Sequence, residues 1–183
     1  MSALASIADN LGQFDHDARL LDLDTFVALH GGAFFVHYGT LKILTAAGSM
    51  RGTQVTKLLR VDGSWQHEYF VFRLRKAPGQ LPTLPVSIGR TGDNDVVIPD
   101  SSLSRRHALV QPSDDSPETT WLIQDLGSTN GTLVEDVPVE REHPTRITPG
   151  ARVKLGSVNL TFLLAREFCA LVRRLGPGGI FER

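Results

Sequence analysis

The residues of this chain best suited to chemistry are polar and fall where turns must be. Gly89-Arg90 ends one apolar run, Ser104-Arg105-Arg106-His107 precedes another, and Asp125-Leu126-Gly127-Ser128-Thr129-Asn130-Gly131 follows a third. Three loops that each offer a donor-rich residue, one of them an arginine, form a donor-rich set. Such a set describes a site for a small anionic group better than a catalytic pocket. A hydrolase built from Ser104, His107 and Asp125 is the sharper alternative. A serine and a histidine three apart at a strand entrance lack the strained strand-to-helix turn of such nucleophiles, so no enzyme is expected.

The elements that must carry these loops are short strands. Val86 to Gly89, Val96 to Ile98, Ala108 to Val110 and Trp121 to Ile123 are β-branched or aromatic, and clusters of Gly, Pro, Asp, Asn and Ser bound them. Tyr69 to Arg75 reads as a strand before them, and Lys76 to Pro85, with three prolines, as a loop. Leu133-Val134, Val137 to Val139, and a closing hairpin of Ala151 to Leu155 and Val158 to Leu164 come after. Short strands at this spacing predict an all-β sandwich rather than a parallel sheet.

In order and spacing, Gly89-Arg90, Asn94-Asp95 with its apolar triplet, Ser104-x-x-His107-Ala108 and Asp125-x-Gly127-Ser128-x-Asn130-Gly131-Thr132 resemble the forkhead-associated (FHA) domain, a phosphothreonine-reading β-sandwich. The resemblance runs from about Tyr69 to Leu164. It implies that Arg90 contacts the phosphate, that Ser104 donates to a phosphate oxygen, and that Arg105 reaches phosphate or peptide backbone. It also implies that Thr129 lies beside the phosphate and that Asn130 bonds the main chain of the bound peptide. His107, Gly89, Gly127, Ser128 and Gly131 are expected to support the loops, with Asp95, Asp100 and Asp125 as loop organisers. Arg106 should point to the opposite strand face by strand alternation. By the same resemblance, the position three after the phosphothreonine falls to residues near Ser102 and beyond Gly131. The chain departs from the family pattern at Glu135-Asp136 and Gly150-Ala151, neither of which belongs to the phosphate pocket.

The division expected is an extension over residues 1–66, the FHA-type sandwich over 67–164, and a helix and tail over 165–183. Leu4, Ile7 and Leu11 share a helical face between Ser2 and Gly12, and a second short helix is predicted from Asp24 to His30. Ala33 to Tyr38 is strand-like, and Asp62-Gly63 after Thr53 to Val61 is a hairpin signal. The extension reads as a small cap packed on the sandwich, with a docking platform as the alternative. At the other end Leu164, Phe168, Leu171, Val172 and Leu175 form one apolar stripe, leaving Arg166, Arg173 and Arg174 for solvent or a partner.

Composition narrows the function classes. The 183 residues carry a net charge of −1, and residues 86–165 hold seven Lys and Arg against eleven Asp and Glu. That segment lacks the broad basic face of a nucleic-acid binder. A single Cys169 excludes an internal disulfide framework, and no metal or cofactor site is argued for. No apolar run approaches a membrane span and the first residues lack a secretory pattern, so a cytoplasmic protein without a membrane role is expected. The function expected is a phosphothreonine-dependent adaptor in Ser/Thr kinase signalling, its partner a phosphorylated protein such as the kinase or its substrate. A phosphate-independent scaffold with a vestigial pocket is the alternative.

Overall fold

The computed structural model describes residues 9–39 and 69–175, with the strand backbones of 42–43, 53–54, 59–61 and 64–66. In chain order the strands are β1 (Asp9–Asn10), β2 (Ala33–Tyr38), β3 (Lys42–Ile43), β4 (Thr53–Gln54), β5 (Leu59–Val61), β6 (Ser64–Gln66), β7 (Tyr69–Arg73), β8 (Val86–Gly89), β9 (Val96–Val97), β10 (Ala108–Pro112), β11 (Trp121–Asp125), β12 (Thr132–Val134), β13 (Val137–Pro138), β14 (Thr145–Ile147), β15 (Arg152–Leu155) and β16 (Val158–Leu164). The α-helices are α1 (Asp15–Leu20), α2 (Leu23–His30) and α3 (Ala165–Leu175).

Two sheets face each other. One has the order β1-β7-β2-β16-β15-β12-β13 and the other β14-β11-β10-β8-β9, every pairing antiparallel except β8 with β9. Side chains alternate across the larger sheet: Phe35, Phe72 and Phe162 point between the sheets, onto Ile88, Val110 and Ile123. Phe34, Val36, Val71 and Leu163 point the other way, into a second core with Leu11, Phe14, Phe26 and Phe168. The molecule is therefore a β-sandwich with a helical third layer behind its larger sheet.

The division expected at residue 66 does not follow the hydrogen bonding. Strand β2 lies between β7 and β16, pairing Phe35 with Phe72 on one side and Phe162 with Phe35 on the other. With both faces covered, β2 is buried from Ala33 to His37, which is why Ala33 to Val36 is a continuous apolar run rather than an alternating one. The helix expected to run to Leu11 lies mostly outside the described residues. Within them, Asp9–Asn10 pairs with Phe70 and Val71, and a 3-10 turn follows at Leu11–Phe14. Leu11 and Phe14 are drawn into the second core from that turn.

The later helices follow their sequence signals. Asp22 caps α2 by accepting the Thr25 amide at 2.9 Å, and Gly31, with φ of 98°, ends it. Helix α3 buries Phe168, Cys169, Val172 and Leu175. Arg173, expected to face solvent or a partner, instead donates to the Ala18 carbonyl at 2.6 Å, while Arg19 donates to the Arg173 carbonyl at 3.3 Å. Each arginine thereby satisfies a terminal carbonyl that the other helix leaves open. Backbone pairing joins β5 to β6 across 62–63, and β15 to β16 across Gly156-Ser157, where hairpins were expected. Strand β14 gave no clear signal, being three residues at a sheet edge with one buried side chain.

Candidate phosphopeptide-binding site

Three loops meet at one end of the sandwich: 90–95 between β8 and β9, 98–107 before β10, and 126–131 between β11 and β12. Polar side chains tie them together from below. His107 is fully buried; its Nδ1 accepts the Ser104 amide at 3.1 Å, so Nε2 carries the proton and donates to the Gly131 carbonyl at 3.2 Å. Burial lowers the pKa of this imidazole, although the Gly131 carbonyl and Asp125 work the other way. Asp125 accepts the Gly127 and Ser128 amides, both at 2.8 Å, and the Ser128 and Thr132 hydroxyls, both at 2.6 Å. Burial would raise its carboxyl, but these four donors hold it below the usual carboxylate value.

The first loop is fixed in the same way. Asn94 donates to the Arg105 carbonyl at 2.7 Å and the Thr91 carbonyl at 2.9 Å. A Cβ on Gly89 would collide with the Arg105 carbonyl oxygen, so only glycine lets these loops pass. Asp95 accepts Lys76 at 2.7 Å, the Ala77 and Ser87 amides and the Ser87 hydroxyl, stapling the proline-rich loop to β8. Burial opposes its charge, yet Lys76 and the other donors bring its pKa down to about 2.

Above this scaffold the loops are laced at the surface. The Arg90 amide donates to the Ser104 carbonyl at 3.1 Å, the Thr129 amide to Ser104 Oγ at 3.0 Å, and Asn130 Nδ2 to the Ser102 carbonyl at 2.8 Å. Gly127 and Gly131, with φ of 77° and 76°, make the turns of the third loop. Behind them the β15–β16 hairpin supports Ser102, whose hydroxyl accepts the Ser157 amide at 2.9 Å.

Arg90, Ser104, Arg105, Thr129 and Asn130 all line one depression of about 540 Å³, together with Asp93, Ser101, Ser102, Leu103 and Arg106. Alternation had sent Arg106 away from it. Ser104 to Arg106 are loop rather than strand, however, so the two-residue period does not govern them. The side chains of Arg90, Arg105 and Arg106 make no ion pair or hydrogen bond with a described residue. A larger groove of about 790 Å³ lies on the outer face of the seven-stranded sheet beside α3, walled by Val36, Leu160, Leu163 and Leu171 among others. Size does not make it the anion site, because the convergent loop donors line the smaller depression.

Ser104, His107 and Asp125 do not form a catalytic relay. Both His107 nitrogens are engaged by backbone groups, Ser104 meets that ring through its amide rather than its hydroxyl, and Asp125 is spent on its own turn.

Residues 86–156, which span all three loops, match the family model of the FHA domain. The chain carries an FHA domain. It is 38% identical over 76 residues to the FHA domain-containing protein FhaB of Mycolicibacterium smegmatis, covering 42% of this chain and 45% of that protein. An ABC transporter ATP-binding/permease protein of Mycobacterium tuberculosis is 36% identical over 110 residues, 58% of this chain and 12% of that protein. The chain thus spans less than half the length of either relative. Among solved structures, the N-terminal FHA domain of Saccharomyces cerevisiae Rad53p in complex with a phosphothreonine peptide is 19% identical, with a TM-score of 0.43 over 55% of this chain and 88% of that one.

Proposed function

We propose that this FHA domain is a phosphothreonine-dependent protein-binding module, and that the chain acts as an adaptor in Ser/Thr kinase signalling. Its partner is a phosphothreonine-bearing protein, either a kinase or a kinase substrate. The observation that carries this reading is the convergence of Arg90, Ser104, Arg105, Thr129 and Asn130 on one depression whose guanidiniums are unpaired among the described residues.

A phosphothreonine brings about −1.5 to −2 charges and three acceptor oxygens. Arg90 offers a planar fork of permanent charge. Ser104 Oγ accepts the Thr129 amide, which fixes the oxygen, and its own proton, directed at the Thr129 hydroxyl across a long 3.4 Å, can turn to a phosphate oxygen. Asn130 commits one amide hydrogen to Ser102, so its Oδ1 is held in a set direction to accept a peptide N–H. His107, Asp125, Asn94 and Gly89 serve by fixing the loops. Nothing in the arrangement needs a metal or cofactor, and we assign no catalysis to it.

The test is an oriented library of phosphothreonine peptides presented to the purified chain, with each selected peptide repeated in unphosphorylated form. Selection of phosphorylated sequences whose unphosphorylated twins do not bind supports the module. Equal binding of both forms would replace it with the phosphate-independent scaffold.

A further inference from the structure

Arg106 adds a cation that the site's residue pattern did not assign. Residues 86–165 hold seven Lys and Arg against eleven Asp and Glu, yet three of those seven cations line this one depression with Asp93 as its only acid. Local concentration of one sign within an acidic segment focuses the field on an anionic ligand. The three are not placed alike. Arg90 belongs to the turn bonded to Ser104, whereas Arg105 and Arg106 lie close enough to Asp93 to favour its ionised form, after the stronger effect of the Thr91 hydroxyl.

We propose that Arg106, with Arg105, forms a second anion-reading position beside the phosphate position, so that the preferred ligand carries another anionic group near its phosphothreonine. That group is a carboxylate or a second phosphate. The inference rests on the phosphothreonine reading above. A single phosphate is met by Arg90 with the Ser104 hydroxyl, and a neighbouring guanidinium that makes no hydrogen bond or ion pair among the described residues gains charge-assisted bonds when the ligand supplies a second acceptor. Asp93 faces the same two arginines and competes for them, which limits the gain and makes it dependent on ionic strength.

The test is calorimetric titration of the whole chain with three phosphothreonine peptides that differ only beside the phosphothreonine. One has neutral amides there, one has carboxylates, and one has a phosphoserine; unphosphorylated twins are run alongside. The wild type should bind at least one of the two more anionic peptides about fivefold or more tighter than the neutral one. Whichever gains more identifies the source of the second anion. Arg106→Gln should remove that gain and leave the affinity for the neutral phosphopeptide nearly unchanged. Arg106→Lys should restore part of the gain, which a merely structural role for the residue would not predict. Arg19→Gln, in the helical layer, should leave it intact and so exclude a general net-charge effect. If the wild type binds neutral and anionic phosphopeptides alike, or Arg106→Gln keeps the full gain, this inference fails while the phosphothreonine reading stands. If no phosphopeptide binds better than its unphosphorylated twin, both fall.

Discussion

At the loop end of the sandwich the buried groups are polar. His107, Asp125, Ser128 and Thr132 are all below 5% exposed, and each meets a hydrogen-bonding partner on a neighbouring turn or loop. Behind the seven-stranded sheet the buried groups are rings: Phe14 meets Phe168 edge-on with centroids 5.0 Å apart, and Phe168 stacks on Phe34 at 4.1 Å. The first region is held by directional bonds, where a change of one atom leaves a donor or acceptor unsatisfied. The second is held by volume and apolar area, where neighbouring side chains can partly relax. Damage at the loop end should therefore reach binding, with or without a loss of stability, and damage in the helical layer should move stability alone.

The sharpest way to break that contrast is to empty the helical layer. Phe168→Ala should cost about 3–5 kcal/mol, lowering Tm by roughly 10 °C, while the folded protein keeps its phosphopeptide affinity. Thermal melts paired with peptide titration check this, and a matched loss of affinity would mean that the two regions are coupled. Gly89→Ala, at the loop end, should cost about 2–4 kcal/mol because its Cβ meets a backbone carbonyl that no rotamer change can move. Here affinity should fall with Tm, since Arg90 is the next residue.

Two neighbours divide the contrast more finely. Gly131 has φ of 76° and open space around a Cβ, so Gly131→Val should lose about 1–2 kcal/mol to backbone strain rather than crowding. Asn130→Ala removes only an exposed bond to the Ser102 carbonyl; it should change stability by about 0.5 kcal/mol or less and weaken peptide binding severalfold. A destabilised Asn130→Ala with normal affinity would make this loop purely structural.

The smallest effect is in pH. Burial lowers the His107 pKa, so the unfolded chain binds that proton more tightly; the contribution is complete above about 6.5 and is lost as pH falls towards the folded value. Tm should drop between about pH 7.5 and about pH 5.5, and by less in His107→Gln. The same drop in both proteins would place the titration elsewhere.

The two regions were also unequally legible. Loop-end residues announce themselves in sequence because each does a job that few residue types can do: Gly89 admits a carbonyl, and Asp125 accepts four donors within seven residues of itself. That grammar placed the sandwich and the five residues that line the depression. It misplaced Arg106 by applying a strand period to a loop. The helical layer has no such grammar. Phe14, Phe34 and Phe168 come together only through long-range packing, and a strand inserted between β7 and β16 leaves no local mark beyond its apolar run. The exchange between Arg19 and Arg173, 154 residues apart, had no local signal at all.

The central claim is that the Arg90 fork at the loop end reads a phosphate, and calorimetry with one phosphothreonine peptide, its unphosphorylated twin, and the wild-type and Arg90→Ala chains tests it most directly. Charge-assisted hydrogen bonds are each worth about 1.5–3 kcal/mol, so Arg90→Ala should bind the phosphopeptide about tenfold or more weakly with its Tm unchanged. The unphosphorylated twin should bind neither chain. An unchanged affinity in a folded Arg90→Ala would contradict the account.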